Sequence, residues 1–230
     1  YKNKLNWQTS IRQSAPTERD DLFITRTVKD IIYDQTTREP YDPQNFLASG
    51  NIDYYINSKH SIGFGGRWNT RKSTRVIDNI TNIIKPNQTD VLFSENYLDK
   101  NRRNFNINPY YEYKTENDKF VLDFNYVDFN DNTMNVLSDK IGSSIPFSDR
   151  KYIQDGTFKI KTYRVDYTKT FSDHLKISAG SRYADVKTDN DLQSFLENGS
   201  SFNKVDNESS RFVVEETIFA LYSKKVSASI

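Results

Sequence analysis

Two histidines, His60 and His174, are the first candidates for chemistry, and each stands in or beside a tight polar turn: Asn57-Ser58-Lys59-His60 and Ser172-Asp173-His174. A histidine can ligate a metal, relay a proton or act as the base of a His/Ser/Asp hydrolytic set. A hydrolytic set would need its histidine well up a strand, so both read as solvated turn residues. Asp185, Asp189, Asp191 and Glu197 form an acidic stretch of the kind that hard cations use. Their spacing is not that of an EF-hand loop, and solvated carboxylates are the plainer reading. Gly63-Phe64-Gly65-Gly66 lacks the Lys-Ser/Thr pair and the following helix of a phosphate loop. It fits strand glycines that let the backbone bend or approach a neighbour. The absence of cysteine removes disulfide scaffolds and thiolate-ligated metals. The sequence therefore assigns no catalytic residue, no metal, no cofactor and no enzyme activity.

A different set of charges has a regular setting. Asp53, Arg67, Glu112, Asp123, Arg164, Asp166 and Arg182 each sit in a stretch where polar and apolar residues take turns. Around them, Ile52, Tyr54 and Ile56 alternate with Asn51, Asp53 and Tyr55, and Ile62, Phe64, Gly66 and Trp68 with Ser61, Gly63, Gly65 and Arg67. The same rhythm runs through 102–115, 120–126, 158–171 and 175–189. A period of two marks β-strands. A face this polar opposite a face this apolar cannot belong to a sheet buried on both sides.

The connections alternate as well. Short polar turns at 57–60, 116–119 and 172–174 take turns with long Asn/Asp/Ser-rich stretches at 75–100, 133–156 and 190–209, which read as loops. Residues 1–14 are expected to run to a short turn at Ala15-Pro16-Thr17-Glu18, with 20–34 returning to a loop near 36–43. That gives about nine strands of 10–15 residues, longer than the roughly 5–6 of soluble proteins and sufficient for the roughly 9–11 of a membrane strand. Tight turns at one end and loops at the other are the layout of a transmembrane β-barrel.

Composition agrees. The apolar fraction is 35% and the aromatic fraction 14%, with a mean hydropathy of −0.80. Disordered chains are poor in aromatics, whereas a barrel needs apolar residues only toward lipid. Tyr54, Phe64, Trp68, Tyr111, Tyr113, Phe120, Phe124, Tyr167, Phe171 and Tyr183 are the expected lipid-facing girdles. The seven charged residues named above are expected to face the lumen. With a net charge of +1 and no basic stripe, nucleic acid is not an expected partner.

Four segments carry a family resemblance. Residues 52–64 (IDYYINSKHSIGF), 164–171 (RVDYTKTF), 175–183 (LKISAGSRY, followed by 186–191) and 212–225 resemble, in order and spacing, outer-membrane β-barrels related to TonB-dependent receptors. The resemblance implies an all-β antiparallel meander, part of a barrel of about 22 strands, located in the outer membrane of a Gram-negative bacterium. Residues 1–230 are expected to be one partial barrel domain, without plug, signal peptide or closing strand, and both ends are expected to be cuts in a longer polypeptide. The implied function is solute uptake, with the chain supplying wall and extracellular loops. Its partners would be outer-membrane lipid and lipopolysaccharide, a plug domain, a TonB-type energy transducer and a surface lipoprotein. The run Lys100-Asn101-Arg102-Arg103, with Arg71-Lys72, is expected to hold lipopolysaccharide phosphates. The alternatives are a non-transporting scaffold barrel and a secreted all-β glycan-binding module.

Overall fold

The computed structural model describes residues 4–142, 149–172 and 175–227, and nearly all of them lie in one antiparallel sheet. The strands are β1 (Leu5–Ser14), β2 (Glu18–Val28), β3 (Ile31–Tyr41), β4 (Gln44–Tyr55), β5 (His60–Lys85), β6 (Gln88–Lys114), β7 (Asp118–Ile141), β8 (Arg150–Ser172), β9 (Leu175–Asn198), β10 (Ser201–Lys204) and β11 (Ser210–Ser227). Each long strand pairs with the next in the meander, and β1–β2 and β11 form the two edges of the described sheet.

Two expectations about the connections are corrected. The stretches at 75–100 and 133–156 are not loops along most of their length. β5 and β6 stay paired up to Lys85 and Gln88, with only Pro86-Asn87 between them, and β7 with β8 up to Leu137 and Arg150. β9 likewise continues to Asn198. Asn, Thr and Ser are as polar as loop residues, but the ladder satisfies their backbone groups, so water on both faces does not break the strand. The resulting strands of 23 to 27 residues far exceed a membrane crossing.

The second correction concerns the first forty residues. There is no hairpin at 15–18. β1 pairs with β4 and β2 with β3 in one uninterrupted register, from Leu5 opposite Tyr54 to Val28 opposite Ile31. The chain reverses at Lys29-Asp30, with Lys29 at φ 53. That register sets Pro16 opposite Pro43, and since neither proline has an N–H, the ladder lapses there without orphaning a donor.

Neither face of the sheet is covered by a second layer. Ala184 and Pro43 are the buried apolar side chains among the described residues, while Trp7, Ile11, Phe23, Phe64, Trp68, Tyr163, Phe171, Phe219 and Leu221 are exposed. A soluble sandwich would bury one face against a partner sheet, so the secreted-module expectation does not fit this architecture.

Candidate functional site

Residues directly opposite one another in an antiparallel sheet share a face, so the registers sort the side chains. One face carries rings. Tyr54, Ile62, Tyr111, Leu122 and Val165 form one cross-strand row, and Phe124, Tyr163, Tyr183 and Phe219 another. Phe124 and Tyr163 lie 4.9 Å apart between ring centroids, and Tyr163 and Tyr183 6.2 Å. Trp68 meets Phe46 edge-on at 5.5 Å. At the turn end, Tyr113, Phe120 and Tyr167 share a row with His60. Phe171 sits at the bulge between Thr170 and Ser172. From strand start to last ring, His60 to Trp68, Asp118 to Tyr126 and Leu175 to Tyr183 each count nine residues, the length of a membrane strand. Beyond these rings the same face turns charged, at Asp128, Lys159, Lys187 and Glu215.

The opposite face carries all seven of the charged candidates. Asp53, Gly63, Tyr110, Asp123, Arg164 and Arg182 occupy one row across six strands, and Glu112, Val121, Asp166, Gly180 and Tyr222 the next. Asn108 Nδ2 donates to Asp123 Oδ2 at 3.0 Å and to the Phe124 carbonyl at 2.8 Å. Arg164 Nε lies 3.2 Å from Asp166 Oδ2, and its terminal nitrogen 3.9 Å from Asp123 Oδ2. Lys119 pairs with Glu112 at 2.8 Å, and Asn106 Nδ2 donates to Asn125 Oδ1 at 2.7 Å. Arg67 and Arg182 make no ion pair among the described residues. Arg182 stands directly opposite Arg164. With Asn106, Asn108, Asp123, Asn125 and Thr162, these two arginines line a shallow hollow of about 390 Å³.

A repeated three-strand device, absent from the sequence reading, builds this wall. Tyr110 lies across Gly63 so that its hydroxyl donates to Asp53 Oδ1 at 2.7 Å. A Cβ on Gly63 would fall 2.1 Å from Tyr110 Cε1. Tyr222 does the same across Gly180, donating to Asp166, and a Cβ there would fall 2.6 Å from the Tyr222 ring and 2.5 Å from Asp166 Oδ1. The glycines are thus places where a ring crosses the backbone, not phosphate-binding turns.

The other sequence candidates separate. His60 Nδ1 lies 2.7 Å from the Tyr111 hydroxyl and the ring is 4.9 Å from Tyr113, so His60 joins the turn-side aromatic row instead of standing in solvent. His174 lies outside the described residues. The four acidic residues of β9 are strung along the strand, each with its own partner. Asp185 accepts from Tyr183 and Thr217, Asp189 pairs with Arg211 at 2.7 Å, Asp191 accepts from Gln193, and Glu197 accepts from the Asp149 backbone. The basic run divides by face. Lys72 and Arg103 lie on the aromatic side, and Arg71, Lys100 and Arg102 on the polar side. Neighbours along a strand point oppositely, so the run is not one patch.

A one-layer meander whose strands carry rings on one face for nine residues and a bonded polar network on the other is the wall of a transmembrane β-barrel. The profile of the outer membrane protein beta-barrel family matches residues 111–225, half of the chain. The chain belongs to that family, and its place is the outer membrane of a Gram-negative bacterium. Among curated proteins, none matches this sequence. Of solved structures, the ferric yersiniabactin uptake receptor FyuA from Yersinia pestis aligns at 8% identity and a TM-score of 0.31, over 96% of this chain and 44% of its own. The outer membrane protease OmpT from Escherichia coli aligns at 10% identity and a TM-score of 0.21, over 98% and 97%. This chain thus spans less than half of the receptor's length.

Proposed function

We propose that this wall is part of a TonB-dependent receptor-like barrel that takes up a solute, with the aromatic face in lipid, the polar face lining the interior and the projecting hairpins forming an extracellular vestibule. The observation that supports it is the polar face itself. Over six strands it presents arginines, carboxylates and amides that bond mainly to one another, a surface on which water, a plug domain or a polar solute can slide. Energy would come from an inner-membrane transducer of the TonB type acting on the plug. In this reading the chain makes and breaks no covalent bonds; it binds, guides and encloses.

The extent of the projecting strands favours a second reading, a scaffold barrel whose outer wall holds a surface lipoprotein and transports nothing. Single cysteines at Asn125 and Leu122 separate the readings. A water-soluble maleimide should modify Asn125→Cys and a lipid-restricted probe Leu122→Cys. A bulky adduct at Asn125→Cys should then slow solute uptake in cells. The reverse labelling pattern refutes the face assignment. Correct labelling with uptake unaffected by the adduct favours the scaffold.

A further inference from the structure

The ring-bearing face carries a second apolar region, well beyond the rings. Past Trp68, β5 presents Thr70, Lys72 and Thr74 on that face, directly opposite Arg103, Asn101 and Asp99 of β6. Above this polar band the face turns apolar again: Val76 faces Tyr97, Ile80 faces Phe93 and Ile84 faces Ile32. The exposed Phe23 continues the Ile80 row across β3. Ile80 lies twelve residues beyond Trp68, so at about 3.3 Å per residue and a tilt near 45° the region stands about 28 Å above the last ring. A bilayer supplies one apolar layer of about 25 Å, and the ring-bearing stretch already fills it. Lipid therefore does not cover the upper region.

A hollow of about 530 Å³ opens in this region, with Ile80 and Phe93 in its lining. Four charged side chains stand around it: Asp78 directly opposite Glu95, Arg38 on the far side of Asp78, and Lys140 beside Phe93. None of these four side chains makes an ion pair or hydrogen bond among the described residues. Like charges facing across a ladder are unfavourable, and here the two bases flank the carboxylates without pairing with them. Contiguous exposed apolar surface of this kind marks a contact site. From β2 to β7 and from Val76 to Ile84 the footprint is about 24 Å by 26 Å, roughly 600 Å². Two such faces make about 1,200 Å², the lower end of stable interfaces.

We infer that this region docks a second, different protein held at the outer surface beside the barrel, whose contact face is apolar around a Lys or Arg that enters between Asp78 and Glu95. The order of charges across the hollow, base, acid, acid, base, selects that partner. A cation at the centre relieves the facing carboxylates, and acidic groups around it meet Arg38 and Lys140. A second upright copy on a two-fold axis through the hollow would set Asp78 and Glu95 against their own counterparts, so this chain is not its own partner here. The inference rests on the ring-bearing face pointing outward, and it holds for a transporter and a scaffold alike.

The test is photo-crosslinking of the full-length protein in its own cells, with benzoylphenylalanine in place of Phe93 or, separately, of Val76. Both positions should give the same single adduct, with a protein other than this chain, and the crosslinked partner peptide should carry a Lys or Arg. D78N/E95Q should cut the yield about tenfold or more. D155N/D191N neutralises another pair of facing acids on the same side, nearer the membrane, and should leave the yield unchanged. Reversing the charges with D78K/E95K should abolish the adduct, and reversing the partner's base to Glu should restore it. Heat-modifiable migration on gels reports that each variant is folded. Absence of a protein adduct, an adduct of twice this chain's mass, a yield indifferent to D78N/E95Q, equal loss in D155N/D191N, or no restoration by the reciprocal reversal overturns the inference. The labelling of Leu122→Cys and Asn125→Cys tests the underlying reading separately. If their labels are exchanged, the face assignment has failed; if they are correct, a negative crosslinking result counts against the docking region alone.

Discussion

Replacing Gly63 by alanine should disable one of the two ring crossings without touching a charge. The new Cβ would sit 2.1 Å from Tyr110 Cε1 and 2.4 Å from Cζ, so the ring must swing off the backbone. Its hydroxyl then leaves Asp53 Oδ1, now 2.7 Å away. A hydrogen bond to a charged acceptor contributes about 1.5–3 kcal/mol, and removing a glycine's freedom in the unfolded chain offsets about 0.4–1 kcal/mol. The net expectation is a loss of about 1–2 kcal/mol, read as the shift of the urea midpoint of the barrel refolded in lipid vesicles. Two comparisons sharpen it. A Cβ on Gly66, three residues on, would meet the Phe64 ring at 3.6 Å and the Asn106 carbonyl at 3.9 Å, both ordinary contacts, so Gly66→Ala should be neutral or stabilising. In a Tyr110→Ala background, Gly63→Ala should likewise cost nothing, giving a coupling of about 2 kcal/mol. An equal cost of Gly63→Ala with and without the Tyr110 ring would refute the reasoning.

Leu122→Arg places a cation midway along the nine-residue ring-bearing stretch and should destabilise the barrel by about 2–4 kcal/mol. Asn125→Arg, on the polar face, should be tolerated in the same urea assay. Lys29, at φ 53 in the Lys29-Asp30 reversal, favours a residue without a Cβ, so Lys29→Gly should stabilise the outer hairpin by about 0.5–1 kcal/mol, seen as slower amide exchange at Val28 and Ile31. The Ser194 hydroxyl, and then the Arg150 guanidinium, hold the Glu208 carboxyl below its usual 4.5. Because the folded value is the lower one, the stabilisation is present above the ordinary glutamate range and lost as pH falls through the lowered value. Wild type should therefore protect the 206–208 turn from proteolysis better than Glu208→Gln at neutral pH, and no better in strong acid.

The two faces were legible in the sequence wherever membrane and interior impose opposite demands. In 52–68, 105–126 and 163–183 most rings fall on one parity and most charges on the other, with Tyr55 and Tyr110 on the charged side and Asp118 and Lys169 on the ring-bearing side. Farther from the membrane both faces meet water and the contrast fades. Val76, Ile77 and Ile80 occupy both parities among Asp, Asn and Thr, and a paired strand of that composition looks like a loop. The reading of 15–18 as a hairpin turn followed proline as a turn former and missed that a second proline opposite it lets the ladder pass. The Tyr–Gly–Asp crossings were hidden for a different reason, since they join three strands. Gly63 meets Tyr110 only through the register fixed by the two-residue turn at Pro86-Asn87, which lies inside the stretch whose polarity conceals it. The division of the basic run follows from parity alone, and taking Lys100 to Arg103 as one patch overlooked it.

The facing prolines carry a consequence for how this surface can change over generations. The outer hairpin of β2 and β3 is joined to β1 and β4 at a point where no hydrogen bond would be forfeited by rearrangement, yet one register runs unbroken through that point. A mutation that lengthens the hairpin at its tip leaves everything below untouched. An insertion of one residue beside Pro16, unmatched beside Pro43, would turn one of the two strands over and present its charges to the wrong side. The tip is therefore free to vary in length, whereas the seam tolerates only paired changes.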